Sequence, residues 1–77
     1  MVQAYVLIQT EVGKSKSVTE DIRSITGVVT CDEVTGPYDI ICKLEADSVE
    51  ALGSLVLAKV QEAAGITRTL TCTVVHS

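Results

Sequence analysis

The residues best suited to chemistry lie in one short segment, residues 34–40, between two β-branched runs. Gly36 and Pro37 are typical of a hairpin turn, because glycine adopts conformations closed to other residues and proline stiffens the chain. Tyr38 and Asp39 add a ring and a carboxylate that a purely structural turn does not need. Asp39 could bind the α-ammonium group of an amino acid. Tyr38 would then form an apolar wall, and backbone N–H groups near Gly36 would bind the carboxylate of that amino acid. Alternatively, Asp39 bonds to nearby backbone and Tyr38 covers a sheet edge.

Catalytic chemistry has little support elsewhere in the chain. His76 is the single histidine and the penultimate residue, so no serine or cysteine has a plausible basic partner. Cys31, Cys42 and Cys72 fit neither a CxxC pair nor a zinc-ligand spacing, which favours reduced, buried thiols. A cross-strand disulfide between Cys31 and Cys42 is geometrically conceivable, although a reducing cytoplasm argues against it. We predict no enzyme, no metal site and no cofactor.

Length and composition predict a single domain, residues 1–77, that is rich in aliphatic side chains. Apolar residues make up 47% of the chain, and the mean hydropathy is +0.39. The net charge is −4 and the basic residues form no run, which argues against direct contact with nucleic acid or an anionic membrane. No apolar stretch is long enough to cross a bilayer, and the N-terminus has no secretory signature. These features predict a cytoplasmic protein.

Hydrophobic periodicity divides the chain into six elements. Strands are predicted at residues 3–12, 28–34, 39–45 and 66–75, and helices at residues 14–25 and 48–63. In the second helix Val49, Leu52, Val56 and Val60 recur at the spacing of one buried face. Gly27 and Gly65 offer left-handed stops after the two helices.

The turn also predicts the pairing of the central hairpin. If it centres between residues 36 and 37, Cys31 faces Cys42 and Glu33 faces Ile40. The same register places Val29 opposite Leu44. It brings Asp32 near Lys43 on the other side of the hairpin, as a potential ion pair.

The order β-α-β-β-α-β predicts an α+β, ferredoxin-like sandwich. Its four-stranded antiparallel sheet has strand order 4-1-3-2, with two helices on one face, and right-handed crossovers suggest that strands 1 and 3 are a parallel pair. We expect the other face to carry Leu7 or Ile8, Ile41 and Val28. Because this apolar surface exceeds what one small core can hide, we predict a homodimer that pairs through the sheet and assembles into higher oligomers. A row of threonines suits either solvent or a subunit contact: Thr67, Thr69, Thr71 and Thr73.

Gly36-x-Tyr38-Asp39 between two strands of this order resembles the hairpin of the effector-binding (RAM) domain of the Lrp/AsnC, or leucine-responsive, family of transcription regulators. The resemblance extends over the whole chain. It implies an oligomeric domain that binds an amino acid or related metabolite near this turn, at a contact between dimers. Gly36, Tyr38 and Asp39 match the family's pattern directly. Thr69 and Thr71 match it loosely, as polar lining of the site.

One departure limits what the resemblance implies. Full-length members begin with a helix-turn-helix domain, whereas this sequence begins at strand 1 and resembles the stand-alone versions. We therefore expect effector sensing in the regulation of amino-acid metabolism without DNA binding, in mixed oligomers with full-length regulators. Two alternatives are a ligand-free assembly module and an enzyme on a related dimeric α+β barrel. The barrel enzymes usually need a histidine, aromatic residues or a larger cavity.

Overall fold

The computed structural model describes residues 1–75 and has six elements in the predicted order. Its strands are β1 (Val2–Thr10), β2 (Val28–Glu33), β3 (Ile40–Ala46) and β4 (Ile66–Thr73), and its first helix is α1 (Ser15–Arg23). The second helix, α2, consists of three consecutive segments: Val49–Ala51, a π-helical segment Leu52–Leu57, and Ala58–Gln61. His76 lies outside the described residues.

The sheet has the predicted order, β2-β3-β1-β4. All three neighbouring pairs are antiparallel, so the expectation that strands 1 and 3 run parallel was wrong. The α1 crossover makes β1 and β2 parallel. The hairpin then reverses the chain direction, so β3 lies between β1 and β2 and is antiparallel to both. The antiparallel ferredoxin-like sandwich is therefore confirmed.

The core lies between the sheet and the two helices. Side chains alternate along β1 and β3, and one set is fully buried: Ala4, Val6, Ile8, Ile40, Cys42 and Leu44. Val18 and Ile22 complete this layer from α1, as their helical spacing predicted. No helix within residues 1–75 is long and apolar enough to span a membrane.

Helix α2 buries one face, but the face begins one turn later than predicted. Leu52, Val56 and Val60 are buried, whereas Val49 is 68% exposed. Val49 is the first helical residue, directly after the cap, where the hydroxyl oxygen of Ser48 accepts a 3.1 Å hydrogen bond from the Ala51 N–H. The helix therefore starts beyond the edge of the core.

Glycines follow both helices in the left-handed region, as predicted. Gly27 has φ of +100° and Gly65 has φ of +103°. At Gly27 the chain also passes very close to α2. A Cβ atom added to Gly27 would lie only 2.5 Å from Cγ2 of Val56. A side chain at this position would push the helix away from the sheet.

The hairpin pairing is partly as predicted. Cys31 faces Cys42 and Glu33 faces Ile40, but Val28 rather than Val29 lies opposite Leu44. A register shift between residues 28 and 30 inserts the extra residue, and Val29 is left exposed. Such a bulge carries no signature in the alternation of apolar residues, so the sequence did not predict it.

The predicted ion pair between Asp32 and Lys43 does not form. The Arg23 guanidinium lies 3.8 Å from Oδ1 of Asp32, because α1 packs along β2. Lys43 instead places its ammonium group 5.8 Å from the centre of the Tyr5 ring, on the face of the sheet opposite the helices.

The open face, defined here as the side of the sheet away from the helices, carries Leu7 and Ile41 as predicted. Ile8 is buried beneath the helices and Val28 packs against the core, so these two residues are not on the open face. The strand registers add three further side chains to it: Tyr5, Leu70 and Cys72.

Candidate functional site

The turn at residues 34–39, between β2 and β3, is fastened to the end of β1. The Asp39 N–H donates to the Ile8 carbonyl at 2.9 Å, and the Gln9 side-chain amide donates to the Pro37 carbonyl at 2.9 Å. The Val34 N–H donates to the Asp39 carbonyl at 2.9 Å and closes the base of the turn. The turn therefore has a defined position at one end of the sheet.

The two carboxylate oxygens of Asp39 have different environments. Oδ2 accepts the Thr10 backbone N–H at 2.9 Å and the Thr10 hydroxyl at 3.4 Å. Within residues 1–75, Oδ1 has no hydrogen-bond partner, and no unsatisfied side-chain oxygen is buried. The carboxylate is thus held in place by one oxygen while the other faces solvent, where it could accept a bond from a ligand.

Gly36 and Tyr38 occupy the outer part of the turn. Gly36 is exposed, does not have positive φ, and has open space around an added Cβ. The expectation that Gly36 adopts a conformation reserved for glycine was therefore wrong, since the turn is long enough to reverse without it. Tyr38 is half-buried and makes no side-chain hydrogen bond within the described part of the chain.

Thr69 and Thr71 lie on β4, on the far side of β1 from the turn. Their register partners are Ile8 and Val6, whose side chains are buried under the helices. Both threonines therefore belong to the helix side of the sheet, on an edge strand where Thr71 is exposed and Thr69 is half-buried. Of the two, Thr69 is nearer the turn, because Ile8 also binds Asp39.

Arg68 is a residue of this end of the sheet that sequence reasoning did not single out as functional. It pairs with Gln9 of β1, and the side-chain amide of Gln9 donates to the Pro37 carbonyl of the turn. Neighbouring strands are about 4.8 Å apart, so an extended arginine can reach across one strand toward Asp39. The signal was present, because Arg68 interrupts the apolar alternation of the last strand. Arg68 is therefore a candidate residue of this end of the sheet, one strand away from Asp39.

A cleft of about 720 Å³ opens at the opposite end of the sheet. It lies between the ends of α1 and β3 and the middle of α2, with Thr26, Asp47, Leu55 and Lys59 in its wall. Sequence reasoning did not predict this cleft, which depends on how closely α2 approaches Gly27. No group of three or more His, Cys, Asp or Glu side chains among residues 1–75 could hold a metal ion.

The fold defines a class of protein: an α+β, ferredoxin-like sandwich with a hydrogen-bonded turn at one end of its sheet. A family model described as the Lrp/AsnC ligand binding domain matches residues 3–77. The chain belongs to this family, whose domains serve in transcriptional regulators rather than enzymes. The chain is therefore a ligand-binding domain of the Lrp/AsnC type.

Individual relatives agree with the family assignment. A 56-residue stretch is 38% identical to an uncharacterized HTH-type transcriptional regulator of Pyrococcus furiosus and covers 73% of this chain and 37% of that protein. The chain thus spans little more than a third of the length of the curated relatives it matches.

Among solved structures, TTHA0845 from Thermus thermophilus is similar over 100% of this chain and 96% of that one, with a TM-score of 0.91 and 28% identity. AsnC of E. coli has a TM-score of 0.88 and 25% identity, over 99% of this chain and 52% of that one.

Proposed function

We propose that this domain binds an amino acid or a related metabolite at the turn formed by residues 34–39. The observation that carries the proposal is the carboxylate of Asp39. Thr10 holds one of its oxygens, and the other oxygen remains available to accept a hydrogen bond from a ligand. A charge-assisted hydrogen bond to a ligand ammonium group would contribute about 1.5–3 kcal/mol. That magnitude suits a sensor of metabolites at ordinary cellular concentrations.

The remaining residues of this end fit a small zwitterion. Gly36 is exposed and nothing lies within 4 Å of an added Cβ, so a ligand could approach its backbone closely. Tyr38 supplies an apolar wall, and Arg68 supplies a positive charge for the ligand carboxylate. Thr69 and Thr71 supply hydroxyl groups across β1, as polar lining of a site completed by other subunits.

A second copy of the chain would complete the site. The open face exposes Tyr5, Ile41 and Leu70 by 41%, 36% and 47% of their surfaces. We propose that two copies pair through this face and that further contacts between dimers enclose the turns. In the cytoplasm such oligomers would include full-length Lrp/AsnC regulators, and they would adjust transcription of amino-acid metabolism.

Isothermal titration of the twenty amino acids tests the proposed site. Asp39→Asn keeps an oxygen that can accept the Thr10 N–H but removes the charge, so binding should weaken by tenfold or more. Asp47→Asn is the matched control, because it makes the same change in the cleft at the other end of the sheet. Loss of binding in Asp47→Asn with full binding in Asp39→Asn would move the site to the cleft.

A ligand-free assembly module is the second candidate. It is favoured by the structural role of Asp39, whose bonds to Thr10 would explain the residue without any ligand. Light scattering separates the two candidates, because an effector site between dimers predicts an oligomer size that changes with the ligand. An assembly module predicts the same size with and without each amino acid.

A further inference from the structure

Two thiols face each other inside the hairpin that carries the turn. Cys31 on β2 and Cys42 on β3 are register partners, and their Sγ atoms lie 2.7 Å apart. Both side chains are buried, with exposures of 2% and 0%. A disulfide requires two cysteines whose sulfur atoms can approach to about 2.05 Å, and these two sulfurs already face one another on paired strands.

We propose that Cys31 and Cys42 form a reversible thiol–disulfide site, oxidised by a hydroperoxide of the size of hydrogen peroxide. The Cys31 thiolate attacks one peroxide oxygen, the O–O bond breaks, and Cys31 becomes a sulfenic acid while hydroxide leaves. The Cys42 sulfur then attacks the Cys31 sulfur, the S–O bond breaks, and water leaves. The hydroxide takes up the proton that Cys31 lost on forming the thiolate. Two thiols are thus oxidised to one disulfide, and one hydrogen peroxide is reduced to two water molecules.

The surroundings assign different roles to the two sulfurs. The hydrogen bond between the two sulfurs lowers the pKa of Cys31. Burial opposes this effect, while the charge of the Arg23 guanidinium supports it. The same hydrogen bond raises the pKa of Cys42, and burial raises it further. Cys31 also lies on the edge strand β2 beside Arg23, whereas Cys42 lies on the interior strand β3. We therefore assign the attack on the peroxide to Cys31 and the resolution of the sulfenic acid to Cys42.

Arg23 also connects the pair to the surface. Its Nε donates to the Cys31 carbonyl at 2.9 Å, and its side chain is 57% exposed. Because β2 is an edge strand and α1 packs along it, Cys31 lies near the margin of the core. A water-sized oxidant needs a much smaller opening than a peptide disulfide, which is why the proposal names a small hydroperoxide.

The bond would close a ring around the candidate ligand turn. Cys31 and Cys42 are 11 positions apart in the sequence, and residues 34–39 lie between them. The disulfide would restrict the two strands from which the turn projects, so oxidation would change ligand affinity. This last consequence rests on the proposed function, whereas formation of the bond does not.

The test uses the intact protein, reduced and then exposed to an equivalent of hydrogen peroxide. Thiols counted after denaturation should fall from three to one, with a mass loss of two hydrogen atoms and an unchanged circular dichroism spectrum. The melting temperature should rise by roughly 10 °C and return after reduction by dithiothreitol. Three thiols after peroxide, or oxidation that occurs only with loss of the folded spectrum, would overturn the proposal.

Variants separate the roles of the cysteines. Cys42→Ser should accumulate a sulfenic acid on Cys31 that dimedone traps, whereas Cys31→Ser should yield none on Cys42. Cys72→Ser is the control, because Cys72 is exposed and lies on the open face. It should form the bond at the wild-type rate, and a bond that requires Cys72 would contradict the assignment. If amino acids do not bind but the ring closes, the proposed function fails and this inference stands.

Discussion

The two faces of the sheet use the same alternating strands for different purposes. On the helix side, Val6 and Ile8 of β1 are fully buried, whereas on the open face Tyr5 of the same strand is 41% exposed. The buried part of the covered face consists of aliphatic side chains and the two thiols of Cys31 and Cys42. The open face mixes apolar side chains with polar ones, including Lys43 and an amide–carboxylate bond of 3.3 Å between Gln3 and Glu45. The difference indicates that one face holds the protomer together while the other is available for association.

The largest expected effect is at the centre of the covered face. Ile8→Ala removes a fully buried side chain between β3 and β4 and should lower the free energy of unfolding by about 2–5 kcal/mol. Leu7→Ala is the matched control on the opposite face and should cost on the order of 1 kcal/mol in the dissociated protomer. Urea unfolding at low protein concentration measures both, and equal losses would contradict the distinction between the faces.

The close approach of α2 to the sheet gives the next effect. Gly27→Ala places a Cβ 2.5 Å from Val56 and 3.1 Å from the Glu45 carbonyl, at φ of +100°. We expect a loss of about 2–4 kcal/mol from backbone strain and overpacking. Gly36→Ala is the control, because nothing lies within 4 Å of its added Cβ, and it should change stability by less than about 0.5 kcal/mol.

The open face should respond in assembly rather than in protomer stability. Ile41→Lys puts a charge at the proposed dimer contact and should raise the dimer dissociation constant by at least about tenfold, since an unpaired charge would be buried. Val12→Lys makes the same change on a fully exposed residue outside the sheet and should leave assembly unchanged. Sedimentation equilibrium measures both. A wild-type protein that stays monomeric at micromolar concentration would contradict the dimer itself.

The smallest effect is at the polar margin of the open face. The Lys43 ammonium group lies 5.8 Å from the centre of the Tyr5 ring, and Tyr5 is 41% exposed. A double-mutant cycle with Tyr5→Leu and Lys43→Met should give a coupling of about 0.5–1 kcal/mol that weakens in salt. A coupling that is zero, or that does not depend on salt, would show that the contact is incidental.

Much of the fold was predictable because local patterns set it. The alternation in the strands, the helical spacing of Val18 and Ile22, and the glycines after the helices all gave elements in nearly the right places. The turn predicted two of the three hairpin pairs. For the candidate site, the sequence drew attention to Tyr38 and Asp39, and the ligand they would bind remains a proposal.

Two of the errors arose because packing determines the contacts between distant segments. Asp32 pairs with Arg23 of α1 rather than with Lys43. Val49 falls beyond the core because the helix begins at its edge. The third error was inconsistent with the predicted hairpin itself: the crossover makes β1 and β2 parallel, so the hairpin makes β3 antiparallel to both.

The sequence by itself determined the periods, the turns and the chemical character of the residues, because these depend on neighbours only a few positions apart. It thereby determined the order of the elements and the Gly36–Asp39 turn. The turn also predicted that Cys31 would face Cys42. Tertiary structure alone decided that Thr10 would hold one oxygen of Asp39 and that Arg68 would lie across Gln9 from the turn. Such contacts depend on a bulge, a register shift or the approach of a helix. The free energies involved are small, and the residues lie too far apart in the sequence for a local pattern to reveal them.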